Sequence, residues 1–314
     1  MNRGAFLCAL GAYLLWGFMP LYFALIKDVS PGEILAHRVA WSGLLLAGIS
    51  ALTGRWPEVL RWLGKPQLVL AALASTTLIA ANWLLYILAT TQGEVLQASL
   101  GYYITPLFSV LLGLVVFGEH LRMAQWVALG FAAAGVAVQA ALLGKMPWLG
   151  IGLMFSFGLY GLARKKMGID SIAGLTLETI LICPVALGFL LTWHIRGTGI
   201  FLHENPRQDL WLVLAAPVTA TPLLLFGVGA KGLPLSLMGF LQYSSPTVQM
   251  LVATLILGEE LSVERIASFS LIWIGLLVFV IEAWHNNTKT QTKAQTEEIQ
   301  TKPPMMVPQG NNSE

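Results

Sequence analysis

Apolar positions along this chain come in long uninterrupted runs, not in alternation or at the spacing of a one-sided helix. Ten such runs can be placed, at 4–26, 34–52, 68–90, 95–117, 123–143, 146–163, 172–192, 210–230, 235–257 and 266–284. A helix of about 20 apolar residues crosses the hydrocarbon core of a bilayer and satisfies its own backbone there. The pattern therefore predicts an all-α polytopic membrane protein with ten transmembrane helices. Most links are too short to hold a soluble domain; the long one, "RGTGIFLHENPRQD" from Arg196, reads as a solvated connector. The tail at 286–314 is polar, contains proline and has no helical period, which predicts a disordered cytoplasmic segment.

Composition agrees. The 314 residues are 56% hydrophobic and 11% charged, with a mean hydropathy of +0.71, against roughly 25% charged in soluble domains. Arg3 followed by an apolar run resembles a signal peptide, but the run is too long and leads into further spans, so it reads as a retained helix. Placing the N-terminus in the cytoplasm puts Arg3, Arg55, Arg61, Lys65, Arg122, Arg164, Lys165, Lys166, Lys231 and the lysines of the tail on that side. Lys27, Lys145, Arg196, Arg207 and Arg265 fall opposite, and Arg38 alone sits inside a span. The bias of positive charge predicts both termini in the cytoplasm. Cys8 and Cys183 lie in apolar runs without metal-ligand spacing and read as small hydrophobes.

The chain repeats itself. "YITPLFSVLLGLVVFGEHL" from Tyr103 returns 140 positions later as "YSSPTVQMLVATLILGEEL", superposing Tyr103 on Tyr243, Pro106 on Pro246, Gly118 on Gly258 and Glu119 on Glu259. A weaker match at an offset of 141 sets Ser30 against Ser171 and His37 against Glu178. Each copy holds five spans, at 1–143 and 146–284, and an odd number of crossings makes the second copy enter the membrane from the other face. Two inverted five-helix repeats are the geometry of alternating access around a midplane site.

Polar side chains in hydrocarbon need partners, so they face the bundle interior or a cavity. Ser75, Asn82, Tyr86 and Thr90 share one face of the third span, and Gln97, Gly101, Thr105 and Ser109 one face of the fourth. Ser236, Tyr243, Thr247 and Thr254 mark the ninth, interrupted by Pro246. Small hydroxyl residues at such positions also hold helices together, and both readings stand at this stage. The larger groups give candidate substrate-binding residues: Asn82, Trp83, Tyr86, Gln97, Tyr102, Tyr103, Pro106, Tyr243 and Pro246, where each proline removes a backbone donor and frees a carbonyl.

Candidate coupling or gating residues are Glu33, His37, Arg38 and Glu178. Glu33 also fits a capping box opened by Ser30 and Pro31. Arg38 could snorkel, pair with Glu33, or meet an anion. Glu178 or His37 could exchange a proton, and a satisfied ion pair is the alternative for each. Glu119 and Glu259, each after a glycine, read as helix punctuation. The five histidines form no HExxH pair, and no P-loop or GxSxG motif occurs, so neither an enzyme nor an ATP-driven pump is expected.

"EILAHRVAWS" from Glu33, "NWLLYILA" from Asn82, "SLGYYITPLFSVLLG" from Ser99, "FGEHL" from Phe117, "LTLET" from Leu175, "LPLSLMGFLQYSSPT" from Leu233 and "GEEL" from Gly258 together resemble the RarD branch of the EamA family, in the drug/metabolite transporter superfamily. The resemblance runs from Asn2 to about Trp284. It implies a ten-helix permease of the bacterial inner membrane, built from two inverted halves. No cofactor and no nucleic-acid partner is expected. Two positions depart from the family pattern, Thr105 before the proline where Asn is expected and Ser244 where an aliphatic residue is usual.

The sequence therefore predicts a secondary transporter of a small metabolite or drug-like solute, with a cavity between spans three, four, eight and nine and a proton as candidate coupling ion. An uncoupled exchanger or facilitator, and a membrane sensor or scaffold without flux, are the alternatives.

Overall fold

A computed structural model describes residues 2–91, 94–203, 205–256, 258, 263 and 266–282. The tail at 286–314, Glu259 and the side chain of Thr90 lie outside the described residues.

The described residues form helices and short links without a strand. The first apolar run is two helices, α1 (Arg3–Gly17) and α2 (Met19–Leu25), broken at Phe18 ahead of Pro20. Then come α3 (Pro31–Leu52), the short α4 (Trp56–Leu63), α5 (Pro66–Thr91), α6 (Val95–Phe117) and α7 (Met123–Leu143). The second part holds α8 (Trp148–Met167), α9 (Ser171–Arg196), α10 (Pro206–Gly232), a second broken rod of α11 (Leu235–Gln242) and α12 (Ser244–Leu255), and α13 (Ile266–Glu282). All ten predicted spans are thus occupied by helix. Seven of the rods are long and apolar enough to cross a membrane by length and composition alone; α8, the broken α11/α12 and α13 are not.

Local chemistry sets the ends. Ser30 caps α3 by accepting the N–H of Glu33 at 3.3 Å, and Asp170 caps α9 by accepting from Ile172 and Ala173 at 3.0 and 3.1 Å. Pro31, Pro66 and Pro206 open their helices, where the missing N–H costs nothing. Gly118 ends α6 in the left-handed region, as the punctuation reading predicted. The two caps, Ser30 and Asp170, differ by the same 140 positions as Tyr103 and Tyr243. That corrects the offset of 141: Arg38, not His37, is the counterpart of Glu178.

Helix packing follows the repeat. If α1, α3, α5 and α6 correspond to α8, α9, α10 and the broken rod α11/α12, the contacts come in exchanged pairs: α1 on α10 with α8 on α5, α6 on α8 with α12 on α1, and α3 on α10 with α9 on α5. The contacts of α3 with α9 and of α6 with α11 map onto themselves. The pattern extends to α7 and α13, where a Cβ on Gly135 would lie 2.8 Å from the carbonyl of Ser268, and one on Gly275 would lie 2.7 Å from that of Ala128. Both glycines and both carbonyls are 140 positions apart.

Backbones meet closely where α6 crosses α8. A Cβ on Gly101 would stand 2.8 Å from the carbonyl of Gly150, and one on Gly150 would stand 2.6 Å from that of Gln97. No flexible side chain can yield there. Substituting Gly101→Ala should lower the stability of the solubilised protein by about 1–3 kcal/mol, the usual cost of overpacking. Gly130→Ala on α7, with nothing within 4 Å of the new Cβ, should leave it unchanged or raise it. Thermal unfolding of both variants checks the contrast.

Candidate functional site

The two broken rods face each other across a cavity of about 100 Å³. Span one contributes Tyr13 and Trp16 before its break and Met19, Pro20 and Phe23 after it. The α11/α12 break contributes Gln242, Ser245, Pro246 and Gln249. Arg38 of α3, Ile79, Asn82, Trp83 and Tyr86 of α5, Tyr102 of α6 and Phe157 of α8 complete the wall. Pro106 and Pro246 have no N–H for the carbonyls four residues upstream, which belong to Tyr102 and Gln242. Both of those residues line the cavity.

The wall is held from behind. Asn82 Nδ2 donates to the carbonyl of Leu153 at 3.1 Å and to Ser156 Oγ at 3.0 Å, tying α5 to α8. Gln249 Nε2 donates to the carbonyl of Trp16 at 3.3 Å and to Ser245 Oγ at 3.4 Å, tying α12 to span one. The rings of Tyr86 and Tyr102 stand 5.8 Å apart. Trp16 and Phe157 of the wall join an aromatic cluster with Phe226 and Tyr160 behind it, Tyr160 and Phe226 stacked at 5.6 Å.

Arg38 is 8% exposed, seven residues into α3 and so about 10 Å from its start. Its Nε donates to Thr219 Oγ1 of α10 at 2.9 Å, and its guanidinium carbon lies 4.7 Å from the ring centre of Trp83 and 5.7 Å from that of Phe23. No carboxylate of the described residues lies within 4.0 Å of it. It neither snorkels nor pairs with Glu33.

Glu178 does have a cation. Arg164 of α8, 4% exposed, donates to Glu178 Oε1 at 3.2 Å, and Ser75 Oγ donates to the same oxygen at 2.7 Å. Glu178 Oε2 and the hydroxyl of Tyr160 are buried without a partner. A Cβ on Gly174 or Gly227 would come within 2.8 or 2.6 Å of the Arg164 guanidinium, so both glycines make room for it. Arg164 is therefore not the cytoplasmic link charge that the sequence suggested. A smaller pocket of about 30 Å³ touches both Arg38 and Glu178, with Tyr160, Thr76 and Thr219 on its wall.

The EamA-like transporter family profile matches this chain twice, over residues 3–140 and again over 145–281. The chain belongs to the EamA-like transporter family. It is 38% identical to the RarD protein of Escherichia coli over 290 residues, 92% of this chain and 98% of that one. Uncharacterized transporters of Bacillus subtilis and Pseudomonas aeruginosa are 41% and 40% identical over 285 and 287 residues, covering 89% and 90% of this chain and 95% of each relative. A solved crystal structure shares the fold with a TM-score of 0.69 at 20% identity, over 88% of this chain and 97% of that one. The protein is a multi-pass bacterial membrane transporter of the drug/metabolite type, not an enzyme.

Within this EamA-like bundle Asn82, Trp83, Tyr86, Tyr102 and Pro246 meet at the cavity, while Gln97, Tyr103, Pro106 and Tyr243 do not line it. Gln97 accepts the N–H of Leu149 and donates to Glu94, tying the start of α8 to the α5–α6 link. Hydrogen bonds from Lys145 and then Gln97 hold the Glu94 carboxyl below its ordinary range. Tyr243 donates to the carbonyl of Tyr103 at 3.2 Å, joining the two repeated segments, and the ring of Tyr103 meets Phe269 edge-on at 5.3 Å. The carbonyl of Pro106 is crossed closely by Gly239 of α11.

Span eight was expected on the cavity wall and is absent from it; it reaches the smaller pocket through Thr219 and Leu223. Span one, not expected there, supplies five lining residues. The two departures from the family pattern also stay off the wall, with Thr105 donating to the carbonyl of Gly101 and Ser244 to that of Leu241.

Glu33 and His37 belong to one end of the bundle. Glu33 Oε1 accepts the N–H groups of Ile200 and Phe201 at 2.8 and 3.3 Å, so the acid of the predicted capping box reaches the α9–α10 link. His37 accepts the indole N–H of Trp41 at 3.1 Å and lies against Phe201 at 4.6 Å. At the other end Glu119 accepts from the N–H groups of Leu235 and Ser236 at 2.7 and 2.8 Å, and Lys165 stands 3.7 Å away.

Removing one member of a buried ion pair strands the other charge. Glu178→Gln should destabilise the solubilised transporter by about 3 kcal/mol. The double variant Arg164→Gln with Glu178→Gln should recover part of that loss. Equal unfolding temperatures for the single and double variants would show that the pair does not act as a unit.

Proposed function

We propose that this transporter moves a small solute across the bilayer by alternating access, with both termini in the cytoplasm and residues 1–143 and 146–284 acting as inverted five-helix halves. The observation that carries the reading is the cavity itself. It lies between the two broken rods, its wall is drawn from both halves, and its polar groups are held in place from behind.

Two further features support it. The packing contacts exchange under the repeat, so a second arrangement with the halves interchanged is available at similar energy. Each end also carries a carboxylate that grips two successive N–H groups of the opposite half: Glu33 on Ile200 and Phe201, and Glu119 on Leu235 and Ser236. Glu33 follows one crossing and Glu119 follows four, so parity sets the two grips on opposite faces. Closing one and opening the other is the exchange that alternating access requires.

An uncoupled exchanger or facilitator is favoured over proton coupling through Glu178. Protonating Glu178 would leave the buried Arg164 guanidinium without its counter-charge. His37 lies off the cavity and already accepts the N–H of Trp41.

Counterflow tests the mechanism. A solute is first selected by stabilisation of the solubilised protein, where binding at 100 times its dissociation constant adds about 2.7 kcal/mol. Liposomes preloaded with that solute should then take up its labelled form faster than empty ones. Uptake indifferent to preloading would indicate a channel, and binding without uptake a sensor. The Arg164→Gln, Glu178→Gln double variant should keep the pH profile of the parent. A profile that flattens in the double variant would restore proton coupling through this pair.

A further inference from the structure

We propose that the cavity selects solutes carrying one anionic group, an organic carboxylate above all, attached to a flat apolar body, with Arg38 as the counter-ion. The proposal rests on the transport reading and names the substrate class of that site.

The two buried arginines among the described residues make the argument by contrast. Arg164 has a carboxylate at 3.2 Å, and two glycines clear space for its guanidinium. Arg38 is also buried, but only its Nε meets a protein acceptor among the described residues, the neutral hydroxyl of Thr219. Its two terminal amino groups, which hold four of the five N–H donors, have no acceptor among the described residues. A charge at that depth is costly and is held only where something offsets it. Trp83 and Phe23 fix the guanidinium by its faces but add no negative charge.

The rest of the wall points the same way. Among the described residues Arg38 is the single charged group on the wall, and no Asp or Glu lines the cavity. The remaining polar groups are neutral amides, hydroxyls and phenols, suited to orienting a solute but not to balancing a cation. A guanidinium with its terminal donors unengaged matches a carboxylate in the two-pronged geometry that sets Arg apart from Lys. Trp16, Trp83 and Phe157 offer the apolar faces for the remainder of such a solute.

Binding to the full-length solubilised protein tests the class. The probes are benzoate, phenylacetate, indole-3-acetate and hexanoate, each beside its own primary amide, together with benzylamine as a cation. Each carboxylate that binds should do so about tenfold or more tightly than its amide, and benzylamine should not compete. In Arg38→Gln the preference for carboxylate over amide should vanish, and in Arg38→Lys part of it should persist. Amides or benzylamine binding the parent protein as tightly as the carboxylates would overturn the proposal without using any variant, as would a carboxylate preference unchanged in Arg38→Gln. A panel in which no carboxylate binds also overturns it. Counterflow of a neutral or cationic solute would in that case leave the transport reading standing, whereas a protein that binds carboxylates but gives no counterflow would lose the transport reading alone.

Discussion

Inside hydrocarbon the apolar surface of one helix gains little from meeting another, because lipid tails are as apolar as leucine. The bundle therefore depends on close backbone approach and on polar groups that find partners across helices. The crossing of Gly101 over Gly150 supplies the first, and the contacts of Asn82, Gln249 and Ser75 with neighbouring helices supply the second. The architecture follows from this constraint. Helices satisfy their own backbones, small residues set where two rods touch, and the remaining polar side chains face a cavity or a charge or turn back to a carbonyl of their own helix.

The repeat gives the bundle a symmetric frame on which an asymmetric chemistry is mounted. Arg38 and Glu178 occupy equivalent positions in α3 and α9, the pair of helices that maps onto itself, yet they carry opposite charges and different surroundings. Glu178 is closed off by Arg164 and Ser75, while Arg38 opens on the large cavity. In the proposed alternating access this symmetry lets two arrangements have similar energies, and its violation gives one site a distinct chemical character.

The ten spans were legible because the hydrocarbon requirement outweighs every local preference. The breaks were harder to read. Pro246 signals the one in the ninth span, but the rod gives way at Tyr243, near the Gln242 carbonyl that the proline cannot serve. At the site, Asn82 and Tyr86 were legible as one stripe, whereas Tyr103 looks as polar as Tyr102 in sequence and points about 100° away round the helix. Trp16 and Phe23 were missed because they are apolar in an apolar run and reach the cavity through the break at Phe18, whereas Gln249 was legible as a polar position four after Ser245 and was passed over. Arg164 was missed because it begins a basic cluster with Lys165 and Lys166, and its partner lies on the next helix.

That last pairing bears on how the chain enters the membrane. Arg164 leaves the ribosome before Glu178, separated from it by fourteen positions, and α8 is among the rods that do not qualify as a span on their own. Released singly into lipid, it would carry a bare guanidinium. Inserting the two helices as one hairpin pairs Arg164 with Glu178 before either meets lipid and spares α8 that unpaired charge.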